Sequence, residues 1–236
     1  WPLITQTLNR TREGSNLQQA IVVASFGTTY DEGRIADIES LEAAIQAAFP
    51  TFVVRRAFTS HFVRQRLAAR GCVVDSLADA LAKLAAEGFH TVYVQPTLLT
   101  CGEEYDNKIL ADVRAAQATQ PFATLAIGRP LLTHAGENGL DDYLLLANAL
   151  REQWPVLEKP HHAVVFIGHG SPNRHNPAYE KLQAAFDKLA LAAVVGVVEA
   201  ADWPNFTDVN RRLQQLNVQT LQLVPLLLVS GDHANQ

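Results

Sequence analysis

Hydrophobic positions along this chain are grouped into short apolar runs, and the stretches between the runs have the three-to-four-residue periodicity of amphipathic helices. The runs predict strands at residues 20–25, 52–58, 91–99, 123–127, 163–168, 194–198 and 221–229. The intervening patterns predict helices at about 31–48, 61–70, 77–87 and 140–153, with a further helix that opens at 102–105. Apolar strands that alternate with helices are typical of parallel sheets covered on both faces, so the pattern predicts an α/β protein.

The second half of the chain repeats features of the first half in the same order. Residues 96–103 align without gaps with residues 225–232, and residues 21–28 resemble residues 164–171. We infer an internal duplication and two similar α/β domains with parallel sheets, with the cleft between them as the default binding site. The expected parts are an N-terminal extension at 1–19, an N-terminal domain at 20–145 and a C-terminal domain at 146–236.

Three apolar runs of the second half each lead into a residue that can bind a metal. His169 follows the first run, Glu199 the second and His233 the third. Ligands of open α/β sheets bind beyond the carboxyl ends of the strands, so these side chains are predicted to converge on one site. Two imidazoles and a carboxylate suit a divalent cobalt, nickel, iron or zinc ion. Taken alone, each residue also fits a commoner role, as a loop histidine or as an acid that caps a helix or pairs with a base.

Composition and charge exclude several other classes of function. The chain has 236 residues, of which 48% are hydrophobic, and its formal net charge of −5 argues against a nucleic-acid-binding protein. No apolar stretch approaches the ~18 residues of a membrane span. Neither a P-loop nor a Gly-x-Gly-x-x-Gly turn follows a strand, so no nucleotide cofactor is expected. We expect a cytoplasmic protein, or a periplasmic one if a signal peptide has been removed before Trp1.

Six motifs, spread from about Ala20 to Ala234, carry a resemblance to a known family. They are Ser25-Phe-Gly-Thr28, Arg56-Ala-Phe-Thr-Ser60, Gly102-Glu-Glu-Tyr105, Gly168-His-Gly170, Val198-Glu199 and Gly231-Asp-His-Ala234. In this order they resemble the motifs of class II tetrapyrrole chelatases, and in particular those of the anaerobic sirohydrochlorin cobaltochelatases, the CbiK family. The resemblance implies a ferrochelatase-like fold, in which two α/β domains face each other across a cleft.

The resemblance also implies an activity and a set of roles. Members of the family insert Co²⁺ into sirohydrochlorin, a precorrin-type tetrapyrrole, with loss of two pyrrole protons. This lyase-type reaction belongs to anaerobic cobalamin biosynthesis. The metal ligands of the family fall on His169, Glu199 and His233, and the first of them is also its proposed proton acceptor. A tetrapyrrole and a divalent metal are therefore the expected partners, and a homo-oligomer is compatible with this assignment.

Polar residues near the ends of the first-half strands are the candidates for binding the carboxylates of the substrate. They are Ser25, Thr28, Thr59, Ser60 and Arg56. A global charge of −5 repels a polycarboxylate, so such local donors are needed to outweigh the field of the whole protein. A place on a solvated helix face is the commoner explanation for a surface arginine.

Two alternative functions stay open at this point. One is insertion of Fe²⁺ or Ni²⁺ into the same macrocycle or of iron into a porphyrin, because histidine and glutamate ligands do not select between these ions. The other is a carrier that binds a metal or haem without catalysis. In the family that the chain resembles, a further strand and a helix follow the Gly-Asp-His-Ala motif, so we expect the C-terminal domain to be incomplete at Gln236.

Overall fold

The computed structural model describes residues 18–171 and 175–229. Its strands are β1 (Gln19–Ser25), β2 (Val53–Phe58), β3 (Thr91–Pro96), β4 (Thr124–Ile127), β5 (His162–Gly168), β6 (Ala193–Val197) and β7 (Thr220–Pro225). Its helices are α1 (Asp31–Gly33, a π-helical segment Arg34–Glu39, and Ser40–Ala48), α2 (His61–Ala68), α3 (Leu77–Ala86), α4 (the π-helical segment Glu104–Ile109 and Leu110–Thr119), α5 (Asp142–Gln153), α6 (Ala178–Lys188) and α7 (Phe206–Gln215). Turns of 3₁₀-helix at Glu137–Gly139 and Pro155–Glu158 flank α5. None of these helices is long and apolar enough to cross a membrane.

The strands form two parallel sheets, so the prediction of two α/β units is confirmed. The order is β2-β1-β3-β4 in the first sheet and β6-β5-β7 in the second. In the first sheet Ser25 pairs with Phe58, and in the second Ile167 pairs with Gly196 and with Pro225. These registers bring the carboxyl ends of neighbouring strands to one edge of each sheet, and His169, Glu199, Ser25 and Thr59 lie at these edges.

Strands β1 and β5 lie inside their sheets and are apolar on both faces, as the sequence pattern predicts. On β1, Val22 packs with α3 and α4, whereas Val23 faces α1. On β5, Val165 faces α7, and Phe166 packs with α6, where its ring stacks on Phe186 at a centroid distance of 5.3 Å. Full burial of each such side chain contributes about 1.5–3 kcal/mol to the free energy of unfolding. The two strands are therefore stable elements from which the following loops start.

Strand β7 departs from the prediction of a strand buried on both faces. It ends at Pro225 and lies at the edge of its sheet, with Leu221 45% and Leu223 67% exposed. Both leucines lie on the same face as Val165, where α7 covers β5 and β6. Among residues 18–171 and 175–229 no strand pairs with β7 on its outer side, and the expectation of burial is wrong for these two leucines.

Contacts near the strand ends join the two halves of the molecule. Leu99 and Leu132, which follow β3 and β4, pack with the core of the second sheet. Asn176 Nδ2 donates to Thr100 Oγ1 at 2.9 Å. Val229, four residues beyond β7, packs against buried residues of α1 and α2. The carboxyl edges of the two sheets are therefore connected through several independent contacts.

The predicted domain boundary falls inside a helix. Helix α5 begins before residue 145 and ends after it, and its buried Tyr143 and Ala147 belong to the core of the second sheet. The division into 20–145 and 146–236 stays a prediction. So does the N-terminal extension, of which residues 1–17 lie outside the described part of the chain.

Candidate metal-binding site

His169 and Glu199 come together at the carboxyl edge of the second sheet. His169 directly follows β5, and Glu199 lies two residues beyond β6. The parallel ladder continues past both strands, because Val198 N donates to Gly168 O and Glu199 N donates to His169 O, each at 3.0 Å. The two side chains therefore lie side by side, with His169 Nδ1 3.7 Å from Glu199 Oε1.

This pair is open to solvent, as a site that receives and releases an ion requires. The side chain of His169 is 46% exposed and that of Glu199 is 32% exposed. His169 Nδ1 lies 3.3 Å from the carbonyl oxygen of Gly170. In the tautomer that donates from Nδ1 to this carbonyl, Nε2 is the basic nitrogen that can ligate a metal or accept a proton.

The two glycines that flank His169 are required by packing. A Cβ on Gly168 would lie 2.2 Å from a ring carbon of the buried Tyr179. Gly170 has φ +81°, and a Cβ there would lie 3.0 Å from Val197 Cβ and 3.1 Å from Glu199 Cβ. Gly170 N donates to the hydroxyl of Tyr179, and burial raises the pKa of that phenol, which keeps it protonated. The Gly-His-Gly sequence thus lets the backbone turn closely against the ligand candidates.

The third predicted ligand, His233, lies outside the described residues. Within residues 18–171 and 175–229, no group of three His, Cys, Asp or Glu side chains is placed to hold a metal ion. The structure therefore brings together His169 and Glu199, and their role as ligands, like that of His233, stays a prediction. Val229, the last described residue before this segment, packs against the first half.

A shallow apolar cavity of about 120 Å³ borders His169. Its lining residues are Ile167, Gly168, His169, Val198, Leu223, Val224, Pro225 and Leu227. Sites for drug-sized ligands have volumes of roughly 300–1,000 Å³, so a tetrapyrrole does not fit inside this cavity.

Four of the predicted substrate-binding residues cluster at the ends of β1 and β2, where each has a partner within the protein. Ser25, Thr28 and Ser60 are buried. The contacts are Ser25 Oγ with Thr97 Oγ1 at 2.6 Å, Tyr30 N to Thr28 Oγ1 at 3.2 Å, Thr59 Oγ1 to Ser25 O at 3.4 Å and Val63 N to Ser60 Oγ at 3.3 Å. These hydrogen bonds shape the loop ends, and the substrate-binding roles of the four residues stay predictions.

Arg56, the fifth candidate, lies within β2 and is held by helix α1. Its guanidinium makes a two-pronged contact with Glu42, with Nε–Oε1 at 2.8 Å, and Glu39 Oε1 lies 3.3 Å away. The hydrogen bond to Glu42 is the main cause of the raised pKa of Arg56. A substrate carboxylate would have to compete with Glu42 for this cation, so its binding role also stays a prediction.

The equivalent edge of the first sheet has a phenylalanine, Phe26, at the position where the second sheet has His169. Phe26 follows β1 as His169 follows β5, and it is 47% exposed. Lys108 Nζ lies 6.0 Å from the centroid of the Phe26 ring and pairs with Glu104 at 2.6 Å. The two edges are therefore related in position but different in chemistry.

Sequence reasoning did not single out Asp202, which the structure places beside the candidate ligands. Its side chain has no solvent exposure and accepts hydrogen bonds from Ser171 N and Trp203 N, each at 2.8 Å, and from Asn176 N at 3.0 Å. His175 Nδ1 lies 3.1 Å from Asp202 Oδ1. The available signal was weak, because an aspartate in a turn between a strand and a helix is ordinarily a helix cap.

His175 is expected to titrate above the usual range of a histidine. Its Nε2 lies 2.6 Å from Glu180 Oε2, and the hydrogen bond to Glu180, followed by that to Asp202, raises the pKa of His175. Because the folded pKa exceeds the unfolded value of about 6.5, this contribution to stability is fully present below pH ~6.5 and is lost as the pH rises through the folded pKa. NMR titration of the ring tests this; Glu180→Gln should lower the pKa, and equal values in the two proteins would contradict the assignment.

The chain is similar to known chelatases along nearly its whole length. The family model described as cobalt chelatase (CbiK) matches residues 19–236. A sirohydrochlorin cobaltochelatase of Salmonella typhimurium is 36% identical over 220 residues, which cover 92% of this chain and 79% of that protein. The sirohydrochlorin cobaltochelatase CbiKC of Nitratidesulfovibrio vulgaris is 32% identical over 219 residues, which cover 93% of this chain and 74% of that protein. The structure of SirB from Bacillus subtilis with Fe³⁺ aligns with a TM-score of 0.66 at 17% identity, covering 93% of this chain and 80% of that one, and this likeness shows the fold.

Proposed function

The chain belongs to the CbiK family of cobalt chelatases, and on that basis we propose that it inserts Co²⁺ into sirohydrochlorin. The activity named for the relatives from Salmonella typhimurium and Nitratidesulfovibrio vulgaris supports this substrate pair. The observation in this chain that carries the proposal is the juxtaposition of His169 and Glu199, 3.7 Å apart and open to solvent at the end of two paired strands.

In this proposal His169, Glu199 and His233 hold the incoming Co²⁺. Three protein ligands leave coordination positions open for the pyrrole nitrogens, so the ion can pass from the protein to the macrocycle without first being released to water. The Glu199 carboxylate offsets part of the charge of the ion and lowers its repulsion from a macrocycle that still carries its pyrrole protons.

The same imidazole also has a role in proton transfer. Insertion replaces two pyrrole N–H protons by one Co²⁺, so the net charge of the macrocycle is unchanged and two protons have to be accepted. A neutral imidazole accepts a proton near neutral pH, and His169 is placed to take one of the two. Once protonated, His169 no longer ligates the metal through that nitrogen, which favours release of the cobalt-containing product.

Two finer assignments accompany the proposal. A cytoplasmic location is part of the proposal, and a chain with only two cysteines, Cys72 and Cys101, is in keeping with it. Cobalt is chosen over Fe²⁺ and Ni²⁺ on the basis of the family, because imidazole and carboxylate ligands accept all three ions.

A single absorbance assay tests the function. Purified protein is mixed with sirohydrochlorin and Co²⁺, Fe²⁺ or Ni²⁺, and the spectrum of the metallated macrocycle is followed against a protein-free reaction. We expect the largest rate enhancement with Co²⁺. A larger enhancement with iron or nickel would reassign the metal, and metal or macrocycle binding without any rate enhancement would indicate a carrier.

A further inference from the structure

We propose that Asp202 is a positioning residue that keeps His169 and Glu199 at the spacing needed to bind Co²⁺. The inference rests on the proposed function and deepens it. Asp202 is three residues beyond Glu199 in the chain, and it acts through the backbone of the two ligand-bearing loops.

The carboxylate of Asp202 is surrounded by hydrogen-bond donors of the protein. Its carboxylate is fully buried, and an ionised carboxylate without partners is costly to bury. Oδ2 accepts from Ser171 N at 2.8 Å, whereas Oδ1 accepts from Asn176 N at 3.0 Å, from Trp203 N at 2.8 Å and from the Nδ1–H of His175 at 3.1 Å. Hydrogen bonds to an ionised acceptor are stronger than neutral ones, so these donors hold the carboxylate firmly.

Together with two backbone hydrogen bonds, these contacts form a closed ring of hydrogen bonds that includes the loops of both candidate ligands. Ser171, two residues after His169, is fixed by the side chain of Asp202, and the N–H of Asp202 donates to Glu199 O at 3.0 Å. Glu199 N in turn donates to His169 O at 3.0 Å. The ring therefore sets the separation of the two loops that carry the ligand side chains.

Asp202 also connects these hydrogen bonds to the first half of the molecule. Asn176, whose N–H binds Asp202, donates from its side chain to Thr100 Oγ1 in the first half. One buried carboxylate thus ties the metal-binding loops to each other and to the segment that follows β3.

The commoner role of helix capping does not account for Asp202. Helix α7 is capped by Asn205, whose side chain accepts from Asp208 N while the Asp208 side chain accepts from Asn205 N. With the cap supplied by these two residues, the partners of Asp202 are in the loops that carry His169 and Glu199.

Cobalt binding by Asp202→Asn tests the proposal without turnover. The amide keeps the shape of the side chain, but its NH₂ group cannot accept from a backbone N–H on that side. We expect the Kd for Co²⁺ to rise about 10- to 100-fold, as is usual when a residue that orients metal ligands is lost. We also expect changed visible d–d bands of bound Co²⁺ and faster hydrogen exchange at Glu199 N. A loss of stability alone would leave the spectrum of the folded, cobalt-bound protein unchanged.

Asp187→Asn is the matched control, because Asp187 is a surface carboxylate of α6 that pairs with Arg212 and Gln183. Its Kd and spectrum should equal those of the wild type. A folded Asp202→Asn protein with wild-type Kd and d–d bands overturns the positioning role. If Asp202→Asn does not fold, Asp202→Glu takes its place, because it keeps the charge but displaces the carboxylate oxygens. Its Kd for Co²⁺ and its d–d bands are then judged in the same way. A wild-type protein that binds no Co²⁺ overturns the proposed function itself, so the two failures are distinguishable.

Discussion

Replacing His169 with alanine is expected to lower the rate of cobalt insertion by at least about 100-fold, the usual contribution of a positioned acid or base. The change removes both a donor to the incoming ion and the group proposed to take a pyrrole proton. The protein should stay folded, because the His169 side chain is 46% exposed. Initial rates with sirohydrochlorin and Co²⁺, together with circular dichroism of the variant, provide the measurement.

The matched control for this prediction is His162→Ala. His162 is the first residue of β5, at the opposite end of the strand from His169, and its Nδ1 bonds to Pro160 O at 2.9 Å. The control removes an imidazole from the same strand without touching the candidate site, so its insertion rate should match that of the wild type. Near-normal activity of His169→Ala would show that the metal and the proton are handled elsewhere.

Gly168→Ala is expected to destabilise the protein by about 1–3 kcal/mol, the usual cost of forcing a methyl group into a packed core. The new methyl group would overlap the ring of Tyr179, which is only 4% exposed and cannot turn into solvent. Displacing the ring also weakens the hydrogen bond from Gly170 N to the Tyr179 hydroxyl. Urea unfolding gives the free-energy change, and cobalt insertion should fall as well.

Two companion variants separate the overlap from a general effect of removing a glycine. Gly102→Ala introduces a methyl group with nothing within 4 Å, and its free energy of unfolding should stay close to that of the wild type. In a Tyr179→Ala background the cost of Gly168→Ala should shrink, because the colliding ring is absent. Equal costs in the two backgrounds would place the cause of the destabilisation somewhere other than Tyr179.

The parts of the fold that were predictable are those that local pattern determines. Strands β1 and β5 are uninterrupted apolar runs with helices on both faces, so composition alone located them within a residue or two. The approach of His169 to Glu199 followed from a general rule, because the ends of neighbouring parallel strands meet at one edge. Nothing more than the positions of two strand ends was needed for that prediction.

The parts that were not predictable depend on contacts between distant segments. Asp202 is satisfied by backbone groups of Ser171 and Asn176, which have no side-chain signature in the sequence. Arg56 and Glu42 pair only because α1 packs beside β2. The exposure of Leu223 goes with the place of β7 at the edge of the sheet that the described residues form, which the apolar composition of the strand does not encode.

The exposed face of β7 has a consequence for the dynamics of the site. Residues of β6 are buried throughout, whereas most of β7 is solvated, so β7 gains the least from apolar burial in its sheet. Elements with few buried apolar contacts open at the lowest free-energy cost, so we expect β7 to be the first of the described strands of this sheet to exchange its amide hydrogens. Because β7 leads directly to the segment that contains His233, the proposed ligand role of His233 would link retention of the ion to local opening of this strand.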